Sequence, residues 1–229
     1  YQVQLAAGAP TGYLPWRLQW ERFYNRLAPY YRATIAYVLA LFVSVLGWLG
    51  ATRFMNRLAS SLLFGGTLIH LLGVILAIGI SGRPPVTGLY SSFVFVTLGV
   101  VNLFLGIELF ARFGIGNVLA SLMGVAGLLW AWNIALGTPD TFSVMVAVLD
   151  TNFWLSTHVL CISTGYVATL AAGLLGVAYL IGRNFIPWFD PATQKLVLRY
   201  IYGPACFAMF CSFVGTVLGG LWADDSWGR

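Results

Sequence analysis

Two histidines, His70 and His158, are the only imidazoles in the 229-residue chain, and each falls inside a long apolar run. An ionisable ring surrounded by hydrocarbon is costly enough to mark a functional position. A neutral imidazole is also a ligand for iron, haem iron included. His158 follows Trp154 by four residues. That places it one helical turn inside its run, ~6 Å below the boundary. A ligand there would hold a bound group at the membrane–water interface. The alternative is a ring that snorkels to water or bonds a neighbouring carbonyl. His70 lies near the middle of its run, with Gly66, Gly73 and Ala77 at helical spacing. A strip of small residues faces protein or a bound ligand better than lipid. It leaves a deep haem ligand and a helix–helix hydrogen bond both open. Counted from the outer end, His70 is ~18 Å deep and His158 ~6 Å, and a gap of ~12 Å is too large for one iron to take both rings.

The chain closes on Trp222-Ala-Asp-Asp-Ser-Trp227-Gly-Arg229 after an apolar run. Two tryptophans at an interface form an aromatic belt or a flat platform for a planar apolar ligand such as a porphyrin. Cys161, Cys206 and Cys211 all lie in apolar runs, without a C-x-x-C, C-x-x-C-H or zinc spacing. They read as small buried side chains, and the chain carries no site for covalent haem. Glu108 and Arg112 stand at i,i+4, the spacing of an intrahelical ion pair. Glycine-rich phosphate loops, a G-x-S-x-G turn and paired catalytic carboxylates are missing from the sequence.

The elements that must position these residues follow from composition. The chain is 59% hydrophobic and 8% charged, far below the charge of a soluble domain, so lipid is the solvent for much of it. Its charge of +5 comes from eleven Arg and one Lys, most of them single residues at the ends of apolar runs. That distribution orients membrane helices, whereas nucleic-acid binding needs a clustered basic face. The expected fold is all-α, a polytopic bundle with six spans at 33–52, 60–81, 91–112, 114–136, 154–182 and 197–222. A very short turn at Phe113–Gly114 makes the third and fourth spans an antiparallel hairpin. Residues 1–32 form an N-terminal arm, and 223–229 the start of a Trp-rich segment. In the arm, Trp16, Trp20, Phe23, Tyr24 and Leu27 fall at helical spacing and Arg17, Glu21, Arg22, Asn25 and Arg26 fill much of the rest of the turn, the pattern of an interfacial amphipathic helix. The alternative is a helix packed on protein. Pro29 ends it.

Small-x-x-x-small faces occur at Gly215/Gly219 in the sixth span and Gly165/Thr169/Gly173 in the fifth, and such faces are expected to pack closely within a bundle. With both ends extracytoplasmic, the inner loops hold Arg53, Arg57, Arg112, Arg183, Lys195 and Arg199, and the outer loops only Arg83. That satisfies the positive-inside rule once the basic arm is treated as a separate interfacial helix. The chain begins at Tyr1 and stops at Arg229 within a Trp-rich stretch, so it reads as a piece of a longer protein.

Three segments together carry a resemblance. Gly82-Arg-Pro-Pro-Val-Thr-Gly-Leu-Tyr90-Ser91-Ser92 resembles the G-x-x-P-x-x-x-x-Y-E-S loop of the CcsA/ResC cytochrome c biogenesis proteins, with Ser91 in place of Glu. Phe153-Trp154-Leu-Ser-Thr-His158-Val159 is similar to their N-W-L-x-x-H-V segment. Gly219-Gly-Leu-Trp222-Ala-Asp-Asp-Ser-Trp227-Gly228 resembles the opening of their tryptophan-rich WWD domain. The order and spacing agree from about residue 60 to the end.

The resemblance implies a bacterial plasma or inner membrane protein of cytochrome c maturation. It would hold non-covalent, transient haem b at the extracytoplasmic surface for thioether attachment to an apocytochrome c with a C-x-x-C-H site. His158 matches a haem-flanking axial ligand, and Trp222 and Trp227 match the start of the haem platform. The second axial ligand would come from outside these residues. The implied partner is a CcsB/ResB-type membrane protein, fused or separate. If the chain is catalytic, it is a component of a cytochrome c haem lyase. The alternatives are a haem transporter or chaperone without ligase activity, and a haem-free transporter or scaffold.

Overall fold

A computed structural model describes residues 15–50, 53–112, 114–137, 151–186 and 189–228, and among these no strand occurs. The start of the arm, Phe113, most of the connection at 137–153 and Arg229 lie outside the described residues. Seven helices follow in order: α1 Pro15–Leu27, α2 Pro29–Gly50, α3 Arg53–Ser81, α4 Leu89–Ala111, α5 Ile115–Leu136, α6 Asn152–Phe185 and α7 Pro191–Trp227. Six stretches are long and apolar enough to cross a bilayer. The chain is an integral membrane protein with an all-helical transmembrane fold.

α1 and α2 meet at Ala28, whose φ is +42°. Its N–H donates to Tyr24 O (2.9 Å) and its carbonyl accepts from Arg32 (3.2 Å), so one residue closes α1 and opens α2. Pro29 has no N–H to lose and suits the first position of a helix. α1 is amphipathic as its sequence requires, but it is also docked. Trp20 lies against Gly79 of α3, where a Cβ would come within 2.5 Å of the indole. Trp16, Trp20 and Phe23 all keep large exposed faces.

The helices pack as neighbours: α2 on α3, α4 on α5, α6 on α7, with α5 also against α2 and α4 against α3 and α6. The result is a four-helix cluster, α2 to α5, to which the α6–α7 pair is joined through α4. Close approach depends on glycines facing large side chains. The fully buried Tyr37 of α2 fits between Gly66 of α3 and Gly124 of α5. A Cβ on Gly124 would sit 2.5 Å from Tyr37 Cδ2 and 2.7 Å from Cγ, near the root of a ring that has nowhere to move. Gly124→Ala is therefore expected to destabilise the protein by about 1–3 kcal/mol, as overpacking does, seen as a lower thermal unfolding midpoint in detergent. An unchanged midpoint would show that Tyr37 is not locked.

The α4–α5 hairpin forms at the expected place and is held by Glu108. Arg112 adopts φ +54° and Gly114 φ +78°, turning the chain tightly. The Glu108 side chain, 2% exposed, accepts from Gly114 N–H (2.8 Å), Gly116 N–H (3.1 Å) and the Asn56 amide of α3 (2.8 Å). This corrects the ion pair expected with Arg112. An i,i+4 pair needs both residues in helical register, and Arg112 has left it for the left-handed cap. The carboxylate instead satisfies the free N–H groups at the start of α5. Around it, Asn117 of α5 bonds Asn56 and Ser60 of α3, and Ser121 bonds back to Asn117 O.

The last helix is longer than its apolar stretch. Asp190 caps it, accepting from Ala192 and Thr193 N–H, with Pro191 in the first turn. It runs 37 residues to Trp227, ~55 Å at 1.5 Å per residue, against ~30 Å of hydrocarbon. Asp224 and Asp225 therefore lie in its final turns.

Candidate functional site

α6 begins irregularly. Thr151 caps it by accepting from Trp154 N–H (3.2 Å), and a π-helical turn spans Leu155–Val159. Such turns insert one extra residue and are frequent at functional sites. His158 is the fourth residue of this turn, half-buried, with its ring directed at α7.

The imidazole enters a slot made by two glycines. Nδ1 is 2.7 Å from the Gly215 carbonyl. A carbonyl only accepts, so in the neutral ring the proton is on Nδ1 and the lone pair is on Nε2. One turn on, a Cβ at Gly219 would fall 2.7 Å from Cε1 and 3.1 Å from Nδ1 of the same ring. Gly215 also admits Ile162 of α6, whose Cδ1 leaves no room for a Cβ there. The Gly215-x-x-x-Gly219 face thus packs two helices and orients an imidazole at once.

Aromatic groups complete the arrangement. The Trp222 ring centroid is 5.7 Å from that of His158, tilted by 58°. Its Nε1–H is buried without an acceptor. Trp154 donates its Nε1–H to Asp225 Oδ2 at 3.1 Å, tying the head of α6 to the end of α7. Deeper in the pair, the Cys161 thiol donates to the Cys211 carbonyl (3.4 Å), the packing role expected of it. Among the described residues, no three His, Cys, Asp or Glu side chains cluster as a metal site.

The structure brings His158 and Trp222 together, and adds Trp154 and Asp225. Trp154 four residues before His158, and Asp225 three after Trp222, lie at helical spacing, so the signal was in the sequence. Trp227 is placed elsewhere: it is 74% exposed at the last residue of α7, without a ring contact to the others among the described residues.

His70 occupies a different part of the bundle. It is fully buried between α2 and α3, with Nδ1 3.1 Å from the Tyr37 hydroxyl and its ring 5.4 Å from that of Tyr30. Its Nε2 has no partner of hydrogen-bonding geometry, and the Val94 backbone of α4 is the polar group on that side. Tyr30 also meets Tyr24 (6.0 Å) and Tyr90 (6.3 Å). Beside them is a cavity of about 30 Å³, roofed by Pro84 and Pro85, an order of magnitude below the ~300 Å³ or more of small-molecule sites. A haem at His70 would require α2 and α3 to part. The Gly82–Ser92 loop thus closes an aromatic cluster. Ser91, at the position of the expected Glu, reaches back to Gly88 N–H (2.9 Å), the work an acidic residue does in a capping box.

No family model matches the chain. It is 27% identical to protein NrfI of Wolinella succinogenes over 231 aligned positions, which take in 93% of the chain. The chain spans about a quarter of that protein's length, 24%.

Proposed function

We propose that this chain is the haem-holding membrane portion of a cytochrome c maturation protein, with His158 as an axial ligand at the extracytoplasmic surface. The observation that carries the reading is the Nδ1 bond to the Gly215 carbonyl, which leaves Nε2 free to coordinate. The resemblance of three ordered segments to CcsA/ResC proteins supports it, as does the likeness to protein NrfI along nearly the whole chain. The residues fit a porphyrin. One imidazole would suffice for a metal whose four ring nitrogens come with the ligand. Trp222 supplies an apolar face beside it, and its orphaned indole N–H is a cost that an incoming acceptor would remove. Bound haem would supply the reactive vinyl groups, across whose C=C bonds the two S–H groups of an apocytochrome C-x-x-C-H site would add to give thioethers.

The chain's own residues bind and orient. His158 would hold the metal, the Gly215 carbonyl fixes the tautomer, and the Trp154–Asp225 bond ties the two helix ends together. Positioning and electrostatics are what a protein adds to a cofactor reaction. His70 enters this reading as packing.

The discriminating experiment is reconstitution of the intact protein with reduced haem and an apocytochrome peptide. Covalent product supports attachment. A Soret band without product leaves haem delivery, and the lack of any Soret band removes haem from the account. Gly219→Ala tests the slot: displacing the ring is expected to weaken haem binding about tenfold, as changes behind a ligating His do. Gly220→Ala, where a Cβ meets nothing within 4 Å, is expected to leave affinity unchanged. Equal effects from both would remove the slot from the site.

A further inference from the structure

At the ends of α3 and α4 farthest from the Gly82–Ser92 loop, a groove of about 820 Å³ opens between the two helices. It is lined by Arg53, Asn56, Arg57, Ser60, Ser61, Glu108, Leu109 and Arg112. Arg53 and Arg57 are one turn apart at the start of α3, and Arg112 is the cap residue of α4. The groove therefore sits where two spans leave the hydrocarbon. Three guanidiniums face one carboxylate, so even with Glu108 counted as a full negative charge the balance is 3 − 1 = +2. Glu108 is also committed to Asn56 and to the Gly114 and Gly116 N–H groups. Among the described residues, no ion pair engages Arg53, Arg57 or Arg112, and the adjoining Ala51, Thr52 and Phe113 carry no acid. The same helix ends present apolar side chains outward: Phe54, Leu58, Leu109 and Phe110 are 69%, 37%, 57% and 85% exposed.

We propose that this groove binds the phosphate of an anionic phospholipid such as phosphatidylglycerol, whose acyl chains cover the apolar flank. The inference is independent of the haem reading. Guanidiniums at the end of a span take phosphate oxygens as paired hydrogen-bond acceptors. The exposed phenylalanines and leucines favour a lipid over a free anion. The +2 balance favours an anionic headgroup over phosphatidylcholine, whose own cation would be brought among the arginines.

The test is native mass spectrometry of the full chain released from nanodiscs of equal phosphatidylglycerol and phosphatidylcholine. Retention of phosphatidylglycerol in preference to phosphatidylcholine is expected. Each arginine removed is expected to cut that preference about fivefold, read in Arg57→Gln alone and in Arg53→Gln/Arg57→Gln/Arg112→Gln. The single variant carries the test if the triple variant does not fold. Arg183→Gln/Arg199→Gln, basic residues outside the groove, should retain the lipid as wild type does. Retention indifferent to headgroup, equal loss in the control variant, or displacement of phosphatidylglycerol by millimolar inorganic phosphate at matched ionic strength would each overturn the proposal.

Discussion

His158→Ala in the intact protein is expected to lower bound haem by more than tenfold, and free imidazole should restore part of it. The reason is the economy of the site. It presents a single imidazole, with no cluster of other ligating side chains among the described residues. Changes that merely disturb the group behind a ligating His cost ~10–100-fold in affinity, and loss of the ring itself should cost at least as much. A tenfold loss corresponds to about 1.4 kcal/mol. Alanine leaves a space between Gly215 and Gly219 that the lost ring occupied, so imidazole from solution has a place to enter. Haem stoichiometry and the Soret spectrum are the readouts, with circular dichroism to establish that the helices persist. An unchanged spectrum in the variant would take His158 out of the site.

Glu108→Ala should produce the largest loss of stability in the four-helix cluster, about 3–5 kcal/mol. Three donors from two other segments end on this carboxylate, and each one stranded in a buried position costs ~1–3 kcal/mol. The removed side chain leaves a gap beside Gly116, where a Cβ would lie 2.7 Å from Glu108 Cβ. Glu108→Gln keeps one carbonyl acceptor and nearly the same volume, and is expected to lose less than half as much. Thermal unfolding in detergent, followed by helical signal, separates the two. An alanine variant as stable as wild type would show that the hairpin is held by its turn residues alone.

The helices were legible from hydropathy because apolar length is a direct requirement of crossing a bilayer. Their ends were less so. α3 begins at Arg53, seven residues before the apolar run at 60, because Asn56 and Ser60 stay helical by bonding to α4 and α5. α7 runs past Trp222 because nothing in Ala223–Trp227 stops a helix before Gly228. The small-residue strip around His70 admits large side chains: Gly66 receives Tyr37, and Gly73 receives Pro29 and Tyr30. What spacing could not reveal was which neighbour claims a polar group. Glu108 looked paired along its own helix, and its partners proved to be 52 residues earlier and just beyond the turn. The same limit hid the slot at Gly215 and Gly219, whose second use exists only once α6 is beside them.

The extra residue in the turn at Leu155–Val159 separates two properties of α6 that a regular helix would lock together. One residue more or fewer rotates everything on one side of it by ~100° about the axis. The body, Leu160–Phe185, keeps its bearing on α7 whatever happens above it. The turn itself, with His158, and the rim bearing Trp154 are what is re-aimed. A change of register here would therefore swing the His158 ring out of its slot and leave the Gly165 face against Cys211 where it is.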